Sequence, residues 1–225
     1  MLNPSGDATM KKGKDIQIRD HVMVLHPLKA LWWPAEDTLI CSDVHIGKGG
    51  HFRKAGIPVP KLVNAANLWN LVELLEHYTP SKLIFLGDLF HSGKNREWED
   101  LTDCLARFPD VKCILVLGNH EFLDLEHYEN RGFHIEAALQ VQDILFTHEP
   151  SSIAEQNTFN ICGHLHPAIR LSGRAKLSMR IPCFWQTSQR AVMPAFGEFT
   201  GTSTIKPSKE DTLYGFLDNQ VVQLN

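Results

Sequence analysis

No stretch of this sequence stays apolar for the roughly 20 residues that a membrane-spanning helix needs. Lys11, Lys12 and Lys14 are not followed by the apolar segment of a secretory signal. The cytoplasm is therefore the expected compartment. The five cysteines (41, 104, 113, 162 and 183) are scattered with no C-x-x-C pair, which excludes a disulfide framework or a zinc ribbon. Cys41, Cys113 and Cys162 sit in β-type apolar runs and read as small buried residues. Positive charge is also scarce. The formal net charge is −4, whereas a protein that grips nucleic acid through an overall basic surface carries an excess of Lys and Arg. No internal repeat, low-complexity segment or linker interrupts the 225 residues, so a single domain over 1–225 is expected.

Histidine is plentiful instead, at 12 residues, and several sit where apolar runs end. Residues 39–47 read LICSDVHIG, a buried strand running into a tight turn with Asp43 and His45 at its mouth. Four later segments share that design: KLIFLGDLF at 82–90, KCILVLGNHE at 112–121, ILFTHEP at 144–150 and NICGHLHP at 160–167. Each opens with a β-type run and closes on residues able to hold a metal.

Between these segments the pattern alternates. Ile16 and Ile18, 22–25 and 30–33 read as short strands at a sheet margin, with His26-Pro27 as a break. A helix is expected from about 61 to 77, with Ala65, Leu68, Val72 and Leu75 on one face. Trp98, Leu101, Leu105 and Phe108 mark a second helix, and a short helix or turn is expected near 123–130. Phe133 and Ile135 read as a strand, 141–146 as another, and the pattern beyond His166 is all β. Asp218-Asn219-Gln220 is a hairpin turn in this reading. Strand–helix alternation followed by consecutive strands implies an α/β fold with two sheets.

Loops at the carboxyl ends of strands are where open α/β sheets build sites. Carboxylate and imidazole together suit Mn, Fe or Zn. Two cations about 3.5–4 Å apart can orient an attacking water and neutralise both reacting oxygens. Asp43, His45, Asp88, Asn119, His148, His164 and His166 supply that donor inventory. Taken singly, D-x-H, G-D or a lone His148 is no more than a surface turn or a core histidine. G-N-H-E and G-H-x-H are more specific, and five such endings in this order are poorly explained by chance.

The set D-x-H, G-D, G-N-H-E, H and G-H-x-H resembles the calcineurin-like metallophosphoesterase superfamily from about residue 39 to 167. Further stretches are similar to the bacterial DNA-ligase-associated metallophosphoesterases: ALWWP at 30–34, GKGGHFRKAGIPVP at 47–60, GDLFHS at 87–92 and PAFGEFTG at 194–201. The resemblance implies an α-β-β-α layered sandwich, two mixed sheets flanked by helices. It implies two divalent cations, with manganese expected and Fe, Zn or Mg as alternatives. By position, Asp43, His45, Asp88 and His166 would hold one metal. Asp88, Asn119, His148 and His164 would hold the other, and His120 would serve the leaving oxygen as general acid. It further implies a DNA endonuclease acting in repair beside a DNA ligase and a helicase.

One position departs from the wider superfamily. His91 stands where many members carry an Asp that pairs with the catalytic His. Glu121 or another carboxylate could take its place. The basic, glycine-rich loop carrying Lys48, His51, Arg53 and Lys54 suits a phosphate, as does His91, although its glycine spacing is not that of a Walker A loop. Phe52 and the Trp32-Trp33 pair could stack on bases, but aromatics in β-rich segments usually belong to a core. Arg170 and Arg190 could add positive charge, but such residues are usually ordinary surface cations. A phosphatase or nucleotide phosphodiesterase acting on small esters is the alternative enzyme reading, which the net charge mildly favours. A non-catalytic scaffold would have lost donors, and this chain retains all of them.

Overall fold

A computed structural model describes residues 12–47, 62–90, 96–119, 121, 123–151, 157–172, 178–198 and 200–225. The chain opens with an antiparallel meander, β1 (Lys14–Ile18), β2 (His21–His26), β3 (Ala30–Trp33) and β4 (Thr38–Ser42). Helix α1 (Leu62–Tyr78) precedes β5 (Lys82–Leu86), α2 (Arg96–Leu105) precedes β6 (Lys112–Val116), and α3 (Leu125–Glu129) precedes β7 (His134–Glu136). Strands β4 to β7 run parallel, so the first sheet has the order β1-β2-β3-β4-β5-β6-β7.

The second sheet is built from β8 (Leu139–Val141), β9 (Ile144–Thr147), β10 (Phe159–Cys162), β11 (Pro167–Ser172), β12 (Ser178–Gln186), β13 (Arg190–Val192) and β14 (Ser203–Thr204), with β15 (Thr212–Leu217) and β16 (Gln220–Gln223) beside β12. Its centre is parallel, β10 lying between β9 and β13. Both sheets are therefore mixed, and the expected α/β sandwich is the architecture observed.

Side-chain alternation makes the two layers. Leu39, Cys41, Leu83, Phe85 and Leu115 point to one face of the first sheet. There they pack against Leu71, Leu74 and Leu75 of α1, Trp98 and Leu101 of α2, and Tyr128 of α3. Ile40, Ile84, Leu86, Ile114 and Val116 point the other way and meet Phe146, Ile161 and Phe184 of the second sheet. Strands buried on both faces need near-continuous apolar runs, which is why their hydrophobicity does not alternate in sequence.

Three local expectations are refined. The α1 face is wider than the expected stripe: Val72 and Leu75 are buried together with Leu71 and Leu74, Leu68 packs against them half-buried, and Ala65 is partly exposed. Residues 141–146 are not one strand: Val141 ends β8, Gln142 (φ 54°) and Asp143 form the hairpin turn, and Ile144–Phe146 belong to β9. Asp143 is the lone turn-type residue in that stretch, and without a glycine or asparagine beside it the flanking strand-formers dominate the pattern. Trp32 and Trp33 belong to the packing: Trp33 is fully buried and Trp32 stacks on Tyr78 at 4.8 Å. At β15–β16 the expected hairpin turn is present, with Asp218 (φ 43°) and Asn219 (φ 63°) both left-handed, as a type I′ turn requires. All five cysteines are free, and burial pushes the thiols of Cys113, Cys162 and Cys183 up to about 12.

Trp98 carries the aromatic cluster under the first sheet, edge-on to Phe90 and Tyr128 and stacked with Phe133. Trp98→Ala should lower unfolding stability by about 3–5 kcal/mol through the cavity it leaves. A urea titration checks this: the midpoint should fall while the slope stays constant.

Candidate metal centre

The parallel strands deliver their carboxyl ends to one rim of the sandwich. Asp43 and His45 follow β4, Asp88 follows β5 and Asn119 follows β6, all from the first sheet. His148 follows β9, and His164 and His166 follow β10, from the second. An isolated parallel bridge between Ile46 and Phe90, with bonds from His45 N to Asp88 O (3.0 Å) and Ile46 N to Leu89 O (2.9 Å), ties the first two turns together.

All seven residues come together. Asp43 Oδ1 lies 3.1 Å from His166 Nε2 and 3.9 Å from His45 Nε2. The two oxygens of Asp88 divide: Oδ2 is 3.8 Å from His45 Nε2 and Oδ1 is 3.6 Å from His148 Nε2. His148 Nε2 also lies 3.1 Å from Asn119 Oδ1 and 3.1 Å from His164 Nδ1. Ligand-capable atoms of Asp43, His45 and His166, and of Asp43, Asp88 and His148, each gather within 4.8 Å. Asp43 is thus common to both groups, while Asp88 faces both sides with different oxygens.

The hydrogen bonds set which nitrogens face the centre. His166 Nδ1 donates to the carbonyl of Gly201 (3.0 Å) and His148 Nδ1 donates to that of Leu86 (3.0 Å). In a neutral ring the remaining Nε2 then carries only a lone pair. His166 Nε2 directs that lone pair at a carboxylate oxygen, and both atoms are buried without a hydrogen bond. Two electron-rich atoms at this distance repel unless a proton or a cation lies between them. Around His148 three more electron-rich atoms converge, so the donor set fits divalent cations better than it fits itself. The carbonyl bonds to Nδ1 are the outer contacts that metal-ligating imidazoles normally have.

Asp43 is fully buried. Burial would raise its carboxyl, yet the His166 imidazole, the Ser42 hydroxyl and the charge of His148 more than offset this, so it is held below the usual carboxylate range. Ser42 Oγ and the backbone N–H of His164 both donate to Asp43 Oδ2. Five of the seven donor residues take left-handed backbone angles: Asp43 (φ 51°), His45 (51°), Asp88 (47°), His164 (65°) and His166 (46°). Such conformations cost of order 1–3 kcal/mol each for non-glycine residues and persist where the surroundings over-determine them.

Glycine is required at two contacts. Gly87 has φ 69°, and a Cβ there would run into the His148 ring. At Gly163 a Cβ would strike Ser42 Oγ and Asp43 Oδ2, which is where the two sheets touch behind the site.

Glu121 is tied into the surroundings of the site by both of its oxygens. Its Oε1 accepts from Leu89 N (3.1 Å) and its Oε2 accepts from Tyr128 Oη (2.7 Å), so it braces the turn after Asp88. Burial pushes its carboxyl up, against those hydrogen bonds. His120, His91, Lys48, His51, Arg53 and Lys54 lie outside the described residues.

Sequence reasoning missed the supporting shell. Asn67, buried on α1, donates to Val44 O (3.3 Å) and accepts from Glu198 N (3.1 Å), joining the first turn to the loop after β13. That loop adds Phe196 N to Ser42 O (2.8 Å) and Gly197 N to Asp43 O (3.2 Å). A polar residue on an apolar helix face was the available signal for Asn67. The carbonyls of Leu86 and Gly201 left none.

The sequence model for the calcineurin-like phosphoesterase family matches residues 37–182, well over half of the chain. The chain belongs to the calcineurin-like phosphoesterase family. Among solved structures, it is similar to the nuclease MPE of Pseudomonas putida at 28% identity and a TM-score of 0.78, over 95% of this chain and 100% of that one. A protein of unknown function from Aquifex aeolicus is 21% identical over 57% of this chain and 78% of its own, with a TM-score of 0.42. Among curated proteins none is significantly similar. Among the described residues of this phosphoesterase, no helix is long and apolar enough to cross a membrane.

Gly163→Ala should lower divalent-cation affinity about 10- to 100-fold, the usual loss when the support of a ligand is disturbed. Titration calorimetry with Mn²⁺ reads it, with circular dichroism reporting whether the sandwich is retained. An unchanged affinity would show that the Gly163–Ser42 contact does not set the site.

Proposed function

We propose that this phosphoesterase is a DNA nuclease, an endonuclease using two divalent cations, with manganese as the metal. The observation that carries the reading is the buried His166 Nε2–Asp43 Oδ1 apposition at 3.1 Å, which a cation at the rim would relieve. The substrate class is supported by similarity over 95% of the chain to a protein that is itself a nuclease.

Asp43, His45, Asp88 and His166 would hold one cation, and Asp88, Asn119, His148 and His164 the other. Asp88 would bridge, in keeping with its two oxygens facing His45 and His148 separately. When bound, such a pair supplies Lewis acidity toward a phosphoryl oxygen and lowers the pKa of water. The chain's own part is to hold these donors rigidly. The Leu86 and Gly201 carbonyls keep the Nε2 atoms of His148 and His166 turned inward. Ser42 and the His164 amide keep Asp43 ionised in a buried position. His120 would deliver a proton to the departing oxygen, and His91 stands in the sequence where the wider superfamily often carries a carboxylate. Lys48, His51, Arg53 and Lys54 would neutralise substrate phosphate.

Beside Asn119 and His148 an open groove of about 390 Å³, reaching Glu149 and Ser151, offers room for a substrate strand. Cytoplasmic DNA repair, alongside a ligase and a helicase, belongs to the same reading and rests on the sequence resemblance. The second reading, a phosphodiesterase or phosphatase for small esters, is favoured by the net charge of −4.

The test is metal-stripped protein reloaded with Mn, Mg, Zn or Fe and given circular single-stranded DNA, an aryl phosphodiester and an aryl phosphomonoester. Linearisation of the circle is expected; hydrolysis of the small esters alone would establish the second reading. His120→Ala should keep its metal content and lose roughly 10²–10⁴-fold in DNA cleavage rate, the range for a lost general acid. Asp88→Asn should lower occupancy of both cations together by metal analysis, and two full equivalents in that variant would refute the bridge.

A further inference from the structure

Strands β11 and β12 form a hairpin that leaves the rim directly after His166. Near the sandwich its pairs are partly buried, Ala168 opposite Pro182 and Ile169 opposite Ile181. Further out, Arg170 lies directly opposite Arg180, and both are exposed. Like charges directly opposite each other on one face of a strand pair are destabilising. Neither arginine forms an ion pair with a described residue, although the chain as a whole is acidic. The next pair, Leu171 opposite Met179 on the other face, is 41% and 56% exposed. The outer hairpin is therefore not packed as part of the core, and its charge arrangement works against pairing.

Position adds the second element. Arg170 is four residues beyond His166, about 13 Å along a strand at 3.3 Å per residue. At about 3.4 Å of duplex axis per phosphate of one strand, that is some four nucleotides. A mononucleotide or an aryl ester at the metal centre cannot reach it, but a polymer can.

We propose that the Arg170–Arg180 pair is a docking surface for the phosphodiester backbone of a DNA strand, about four nucleotides from the bond held at the metal centre. The inference rests on the nuclease reading above and names where the polymer is held outside the reacting site. It also accounts for polyanion binding by a chain of net negative charge, since two guanidiniums that pair with no acid among the described residues create the attraction locally. The rival explanation is edge protection: β14 covers only Pro167 and Ala168, and charges on an open strand edge discourage edge-to-edge association.

The test compares the Mn-loaded wild type with Arg170→Gln/Arg180→Gln and Arg170→Lys/Arg180→Lys. Binding to a dye-labelled phosphorothioate 20-mer, single-stranded or duplex and checked intact on a gel, is followed by anisotropy from 50 to 200 mM salt. For the Gln pair, the slope of log affinity against log salt should shrink by about 1.4 on single strands or 1.8 on duplex, and affinity near 100 mM should fall about 10- to 100-fold. The Lys pair should keep the wild-type slope, and all three proteins should hydrolyse an aryl phosphodiester equally. An unchanged slope in the Gln pair overturns the proposal, and so does aggregation of that variant with unchanged slope, which would establish edge protection. Failure of the wild type to bind DNA overturns it as well. Hairpin-dependent binding without cleavage would uphold the docking surface while removing the nuclease reading.

Discussion

Two carboxylates, Asp43 and Asp88, are buried within a few ångströms of the same imidazoles, and everything at the rim is arranged around that charge. A buried ionised carboxylate is strongly unfavourable unless it is hydrogen-bonded and paired. Asp43 has the Ser42 hydroxyl and the His164 amide on one oxygen, while the other faces His166 Nε2 at 3.1 Å without a hydrogen bond. The remaining deficit is what makes the pocket a candidate cation site. A protein carrying these groups without metal holds lone pair against lone pair, and with metal it holds ligands.

That constraint reaches into the backbone. Strand ends must bend sharply to turn their side chains into the rim, and five donor residues adopt left-handed angles to do so. The turns are not left to themselves. Glu121 and Tyr128 brace the turn after β5, Asn67 and the loop after β13 brace the turn after β4, and Gly163 allows the second sheet to close against Ser42. The two apolar layers supply the rigidity: one glues helices to the first sheet, the other glues the sheets together, and the site lies where both end.

Much of the chemistry was legible because donor type and apolar run are local properties. Asp43, His45, Asp88, Asn119, His148, His164 and His166 each closed a β-type run, and all seven meet. The hairpin at Asp218-Asn219 was readable from its turn residues, whereas the one at Gln142-Asp143 was not, because its left-handed residue is a glutamine. The α1 face was readable at Leu68, Val72 and Leu75, whereas Asn67, a buried polar anchor on the same helix, carries no apolar signal.

By itself the sequence determined which residues can hold a metal, and that they sit at strand ends, since both follow from side-chain chemistry and short-range periodicity. Only the tertiary structure decided that Asp43 is shared by two donor groups, that the carbonyls of Leu86 and Gly201 orient the imidazoles, and that Arg170 faces Arg180. Those relations depend on sheet order and strand register. Both are set by burying two apolar faces at once, a condition that involves the whole chain and leaves no mark on any single segment.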